Sequence, residues 1–207
     1  MHNILSLHPP RVALLLALCA TSACAHTPLP VAAKEPAPMT DPTAAPAGNP
    51  HLSVEEVGKR FLRLLDSIHT RDDITKERVE EVMGLRLSLS VDGTFYGAEQ
   101  NEKDGWLWTV NFYPEGIANP KKGVGLRFIN REERVANMMA ICAMNFERYD
   151  KYLTEAGFVR SENIGEIGEI VNFYYGRSEI LLSLVPQNKF PGEESELCVQ
   201  SLQTLNW

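Results

Sequence analysis

The apolar residues of this chain change period at Gly84, and that change limits the fold more than any other feature. Before it, they recur at three- and four-residue steps. Ser53 with Glu56 reads as a capping box, and Val54, Val57, Phe61, Leu64, Leu65 and Ile68 then lay one apolar face along a helix. A shorter helix starts near Thr75, with Val79, Val82 and Met83 on its face and Gly84 as its stop. After Gly84, Leu85, Leu87, Leu89 and Val91 alternate with Arg86, Ser88 and Ser90, and Asp92-Gly93 signals a hairpin. Residues 94–98 read as the return strand. A further strand over 105–113 carries Trp106, Trp108, Val110 and Phe112 on one side, and a turn at 119–123 leads into Val124, Leu126 and Phe128.

The helical period then returns. Asn130 and Glu133 resemble an N-cap pair, and Val135, Met138, Met139, Cys142, Phe146, Tyr149 and Leu153 predict one long helix closed by Gly157. A hairpin follows over 169–175 and 179–185, turning through Gly176, Arg177 and Ser178. The tail, 196–205, reads as a strand, although Cys198, Leu202 and Leu205 also have helical spacing. Helices, antiparallel strands, a helix and more strands make an α+β domain, an antiparallel sheet with helices packed on one face. Both parts run helix-then-strands without a residue-level repeat.

None of this begins before residue 51. Residues 12–20 are an apolar run behind Arg11, the length of an export signal's core and too short to span a bilayer. Two cleavage readings follow. Ala23-Cys24-Ala25 is a small-x-small site that would free a chain starting near His26. Alternatively, Thr21-Ser22-Ala23-Cys24 resembles the bacterial lipoprotein signal, with Thr21 where that family favours Leu, Val or Ile. The resemblance implies cleavage after residue 23, lipidation of Cys24 with palmitate-type chains, and a periplasmic protein. With Ala25 rather than Asp next, it implies sorting to the inner face of the outer membrane. Without lipidation the product is a soluble periplasmic or secreted protein. Residues 26–50 hold seven prolines and six alanines. Such a segment buries too little surface to offset its entropy, and as polyproline it reaches roughly 75 Å. The expected organisation is a signal over 1–24, a disordered tether over 25–50 and one domain over 51–207.

That domain carries the chain's whole net charge of −7, because the first 50 residues hold two charges of each sign. An acidic surface argues against nucleic acid and anionic lipid as partners. Of the four cysteines, Cys142 and Cys198 lie in the domain. In an oxidising compartment they form either a disulfide or two buried thiols.

Catalytic chemistry is sparse. His69 has Asp66, Asp72 and Asp73 nearby, but no second His or Cys stands at ligand spacing, so neither a metal nor a cofactor is expected. Residues 121–125 place lysines and glycines together without phosphate-loop spacing, and read as a turn. Glu166, Glu169, Glu193, Glu194 and Glu196 offer carboxylates whose separation the sequence does not fix. With no catalytic residues assigned, the reading is a binding protein rather than an enzyme.

Signal, lipid cysteine, Pro/Ala tether and compact acidic domain together resemble, in organisation, the immunity lipoproteins that neutralise secreted antibacterial effectors. That resemblance implies a tethered inhibitor with a protein partner, a basic effector or toxin, whose active site it occludes. The expected contact loops are 99–104, 113–122 and 161–169. The alternatives are an envelope structural or assembly accessory, and a small-molecule or lipid carrier with a groove lined by Trp106, Trp108 and Phe112.

Overall fold

The computed structural model describes residues 48–205 apart from Ile117 and Arg134. The signal, Cys24 and nearly all of the Pro/Ala segment lie outside the described residues. The elements run α1 (Val54–Asp66), a 3-10 turn (Arg71–Asp73), α2 (Lys76–Met83), β1 (Ser88–Leu89), β2 (Tyr96–Asn101), β3 (Trp106–Tyr113) and β4 (Gly123–Asn130). After these come α3 (Phe146–Glu155), β5 (Val159–Ile164), β6 (Ile170–Arg177), β7 (Ile180–Asn188) and β8 (Leu197–Thr204). Among the described residues, no helix is long and apolar enough to cross a membrane.

The strands form one antiparallel sheet of eight, in the order β1-β2-β3-β4-β8-β7-β6-β5. Its two faces follow from the register. One row across the sheet reads Ala98, Val110, Leu126, Leu202, Leu184, Phe173 and Glu162. The row one residue away reads Gly97, Asn111, Gly125, Gln203, Ser183, Tyr174 and Ser161. The first row is buried up to the edge strand and takes the helices. Phe146 of α3 stacks 4.5 Å from Phe173, and the Tyr175 hydroxyl donates to Asp150 at 2.7 Å. The second row is polar or small, as a face without helices should be.

The two halves are related by an approximate two-fold through the central β4–β8 pair. Leu126 and Leu202 face each other there; Val110 corresponds to Leu184, and Ala98 to Phe173, each 74–76 positions apart. The helix ends match as well: Gly84 after α2 and Gly157 after α3 both take positive φ, at 63° and 85°.

Local chemistry explains most boundaries. The Ser53 side chain accepts from the Glu56 N–H and Thr75 from the Arg78 N–H, fixing where α1 and α2 begin. Glu56 itself turns to Arg60, at 2.7 Å, rather than back to Ser53. The alternating run from Leu85 yields only two strand residues. The Arg86 N–H donates instead to Asn49 at 2.6 Å, and the Leu87 N–H to Glu80 at 2.8 Å. The tail is the strand β8.

The long helix expected from Asn130 is a correction. Asn130 does cap a turn, accepting from the Glu132 and Glu133 N–H groups at 2.9 Å each. Among the described residues no helix follows until α3, and 131–133 and 135–145 run as turns and irregular chain. Their backbone groups are taken by tertiary partners. Trp106 Nε1 donates to the Asn137 carbonyl, Gln187 Nε2 to the Ala136 carbonyl, and the Met138 N–H to the Lys189 carbonyl. Cys142, expected on a helix face, lies in this segment and is disulfide-bonded to Cys198, with Cα atoms 5.3 Å apart.

Candidate functional site

The antiparallel register brings four connections to one end of the sheet. Trp106 faces Asn130, Asn188 faces Leu197, and Ile164 faces Ile170. β4 and β8 pair antiparallel over Gly125–Arg127 and Ser201–Gln203, so β4 ends and β8 begins at this same end of the sheet. Turns 102–105 and 165–169, the segment 131–145 and loop 189–196 therefore form one rim. With strands about 4.8 Å apart, the rim from β2 to β5 is about 29 Å long.

Those four stretches hold nine acidic residues and four basic ones, a net −5 of the chain's −7. The connections at the opposite end, 90–95, 114–122 and 178–179, sum to −1. Of the ten exposed large apolar side chains among the described residues, Val135, Met139 and Ile167 lie in these stretches, and Ile129, Ile164, Ile170 and Val171 lie on the strand ends that lead into them. Scattered apolar residues are ordinary on a protein surface, and it is their grouping at one end of the sheet that sets this end apart from the other.

The rim is held in shape. At the β2–β3 turn, Asp104 and Gly105 have φ of 57° and 73°. Asn130 donates to the Asp104 carbonyl at 2.9 Å, and the Arg131 N–H to the Gly105 carbonyl at 3.0 Å, which ties this turn to 131–145. Glu102 is engaged, accepting from Gln100 at 2.6 Å and from Trp108 Nε1 at 3.1 Å. Between the two stretches lies an open cleft of about 410 Å³, lined by Asp104, Trp106, Glu132, Glu133, Asn137 and Met139 among others.

On the other flank, the Gly165 N–H donates to the Glu169 carbonyl at 2.8 Å, and the Glu169 carboxylate accepts from the Ile167 N–H at 3.2 Å. This closed turn presents Ile167 at 91 % exposure. In loop 189–196, Glu196 pairs with Lys189 at 3.0 Å and accepts from Asn145 at 2.7 Å. Lys189 first, and then Asn145, hold its carboxyl below the usual carboxylate range.

The residues expected to carry function are redistributed. Loops 99–104 and 161–169 reach this rim, although residues 99–101 belong to β2 and 161–164 to β5. Residues 113–122 lie at the opposite end, connecting β3 to β4. Trp106, Trp108 and Phe112 are core residues at 3, 1 and 7 % exposure, and of the three Trp106 also lines the cleft beside Asp104. Near His69, the Asp73 carboxylate accepts from the His69 and Thr70 N–H groups at 2.9 and 2.8 Å, capping the 3-10 turn. Asp66 lies 3.4 Å from Arg177, and Asp72 lies 3.1 Å from Lys122. The five glutamates 166, 169, 193, 194 and 196 all fall on the rim, with Glu169 and Glu196 engaged as above.

Segment 131–145 and loop 189–196 were not legible as a surface, because their meeting depends on the crossover that places β8 beside β4. Family models, curated proteins and solved structures offer no match to this chain.

Proposed function

We propose that this domain is a binding and inhibitor module for a basic protein partner, held at the periplasmic face of the outer membrane through Cys24. The carrying observation is the rim, where most of the net negative charge and most of the exposed apolar side chains share one end of the sheet. Interfaces combine apolar anchors, which supply affinity, with charge, which steers encounter and selects partners. A standard interface of about 800 Å² per partner is roughly 32 Å across if circular, close to the rim's length of about 29 Å. The Cys142–Cys198 bond supports an oxidising compartment. In this reading the rim docks beside the active site of a toxic effector and occludes it, as in the immunity lipoproteins that the chain resembles in organisation.

Deleting the gene tests this against a role in envelope assembly. An immunity role predicts normal growth alone and killing in contact with sister cells that secrete the effector. Full-length chain restores survival, and the Cys24→Ser chain restores less because it is no longer concentrated at the membrane. Envelope defects in pure culture without any contact-dependent killing would contradict the proposal.

A further inference from the structure

The two edges of the sheet are unequal. β1 contributes two residues, and Asn49 takes both backbone groups of neighbouring Arg86, at 2.6 and 2.9 Å. That edge is short and blocked. β5 is six residues long, and every residue but Asn163 is exposed. An unpaired edge of this length is a template for another strand.

The side chains of β5 say which strand fits. Two copies related by a two-fold perpendicular to the sheet pair antiparallel, and residues on the same face oppose each other. This is the relation that β4 and β8 already have within the chain. Centring the axis on Arg160 opposes arginine to arginine, and centring it on Glu162 opposes glutamate to glutamate. Like charges directly opposite are destabilising. Centring it on Ser161 sets Arg160 against Glu162 of the second copy twice over, Ser161 against itself and Val159 against Asn163. Arg160 lies on the helix side, 3.1 Å from its own Asp150 and with its guanidinium 5.5 Å from the Phe173 ring. Glu162 closes the helix-side row beside it.

We propose that β5 pairs antiparallel with β5 of a second copy of this chain, in the register centred on Ser161, to make a continuous two-fold sheet. This edge adjoins the 165–169 end of the rim and is separate from its β2–β3 and β7–β8 parts, and the proposal stands whether or not the rim binds an effector.

Cysteine cross-linking of the full chain in its own membrane tests the register. Directly opposed residues have Cα atoms about 4.5–5.5 Å apart, within disulfide range. Two copies of residue 159 would stand about 14 Å apart along the strands, out of range. Under mild oxidation, Ser161→Cys should give more than half its chains as covalent dimer. Wild type and Val159→Cys alone should not, while Val159→Cys co-expressed with Asn163→Cys should. In the Ser161→Cys background, E162R, which leaves the Arg160–Asp150 pair intact, should cut the dimer at least tenfold. R160E should do the same, and R160E/E162R in one chain should restore it. The proposal is overturned if Ser161→Cys cross-links no better than Val159→Cys, or if E162R leaves the yield unchanged. A monomer that captures an extended segment of another protein on this edge would likewise overturn it.

Discussion

Arg177 joins two helix ends that are far apart in the chain. Its guanidinium donates to the Leu65 and Ile68 carbonyls at 2.8 Å each, around the end of α1, and to the Ala156 carbonyl at 2.6 Å after α3. It also lies 4.2 Å from the Phe158 ring centre. The C-terminal ends of helices leave carbonyls without intrahelical partners, and a cation there is also attracted by the negative end of the helix dipole. Arg60 does the same for α2, donating to the Met83 carbonyl at 2.8 Å. We expect Arg177→Ala to cost about 3 kcal/mol of stability, since several part-buried acceptors lose a charged donor. Arg177→Lys should recover less than half, because an ammonium cannot span the fork. Urea denaturation midpoints check both. Nothing in the sequence around Gly176-Arg177-Ser178 marks this role; the residue reads there as a hairpin turn, which it also is.

At the scale of elements, what was legible had a local cause. The caps at Ser53 and Thr75, the stops at Gly84 and Gly157 and the alternation of β3 all act within a few residues. What was not legible is set by distant partners. The helical spacing over 130–145 loses to Trp106, Gln187 and Lys189, which take the backbone groups that a helix would use, and Val135 and Met139 end 60 and 61 % exposed. β5 carries no strand signal in the sequence because Val159, Arg160, Ser161 and Glu162 lie on an edge that buries neither face. The disulfide is the covalent clamp on 131–145, closing a separation of 56 residues, for which chain entropy allows up to ~4 kcal/mol. Replacing both cysteines, Cys142→Ser with Cys198→Ser, should lower global stability by no more than that. It should speed amide exchange in 136–145 much more than in α1, whose core contacts are untouched. Equal acceleration in both would contradict a local clamp.

Over the whole molecule, an approximate two-fold in the backbone carries an asymmetric surface. Strands β2, β3 and β4 correspond in pairing order to β6, β7 and β8, yet one end of the sheet holds a net −5 in its connections and the other −1. α1 has no helical counterpart in the second half, where 131–145 instead lie across the rim. The fold class followed from the change of period; the rim required the strand order. Its role in partner binding is tested most directly by survival in contact with secreting sister cells, using full-length chains changed at one end or the other. Glu132→Lys with Glu133→Lys, and separately Ile167→Glu, should reduce protection to the level of the gene deletion without lowering the melting temperature. Lys121→Glu at the opposite end should protect like wild type. Full protection by the rim variants, or equal loss from Lys121→Glu, would contradict the account.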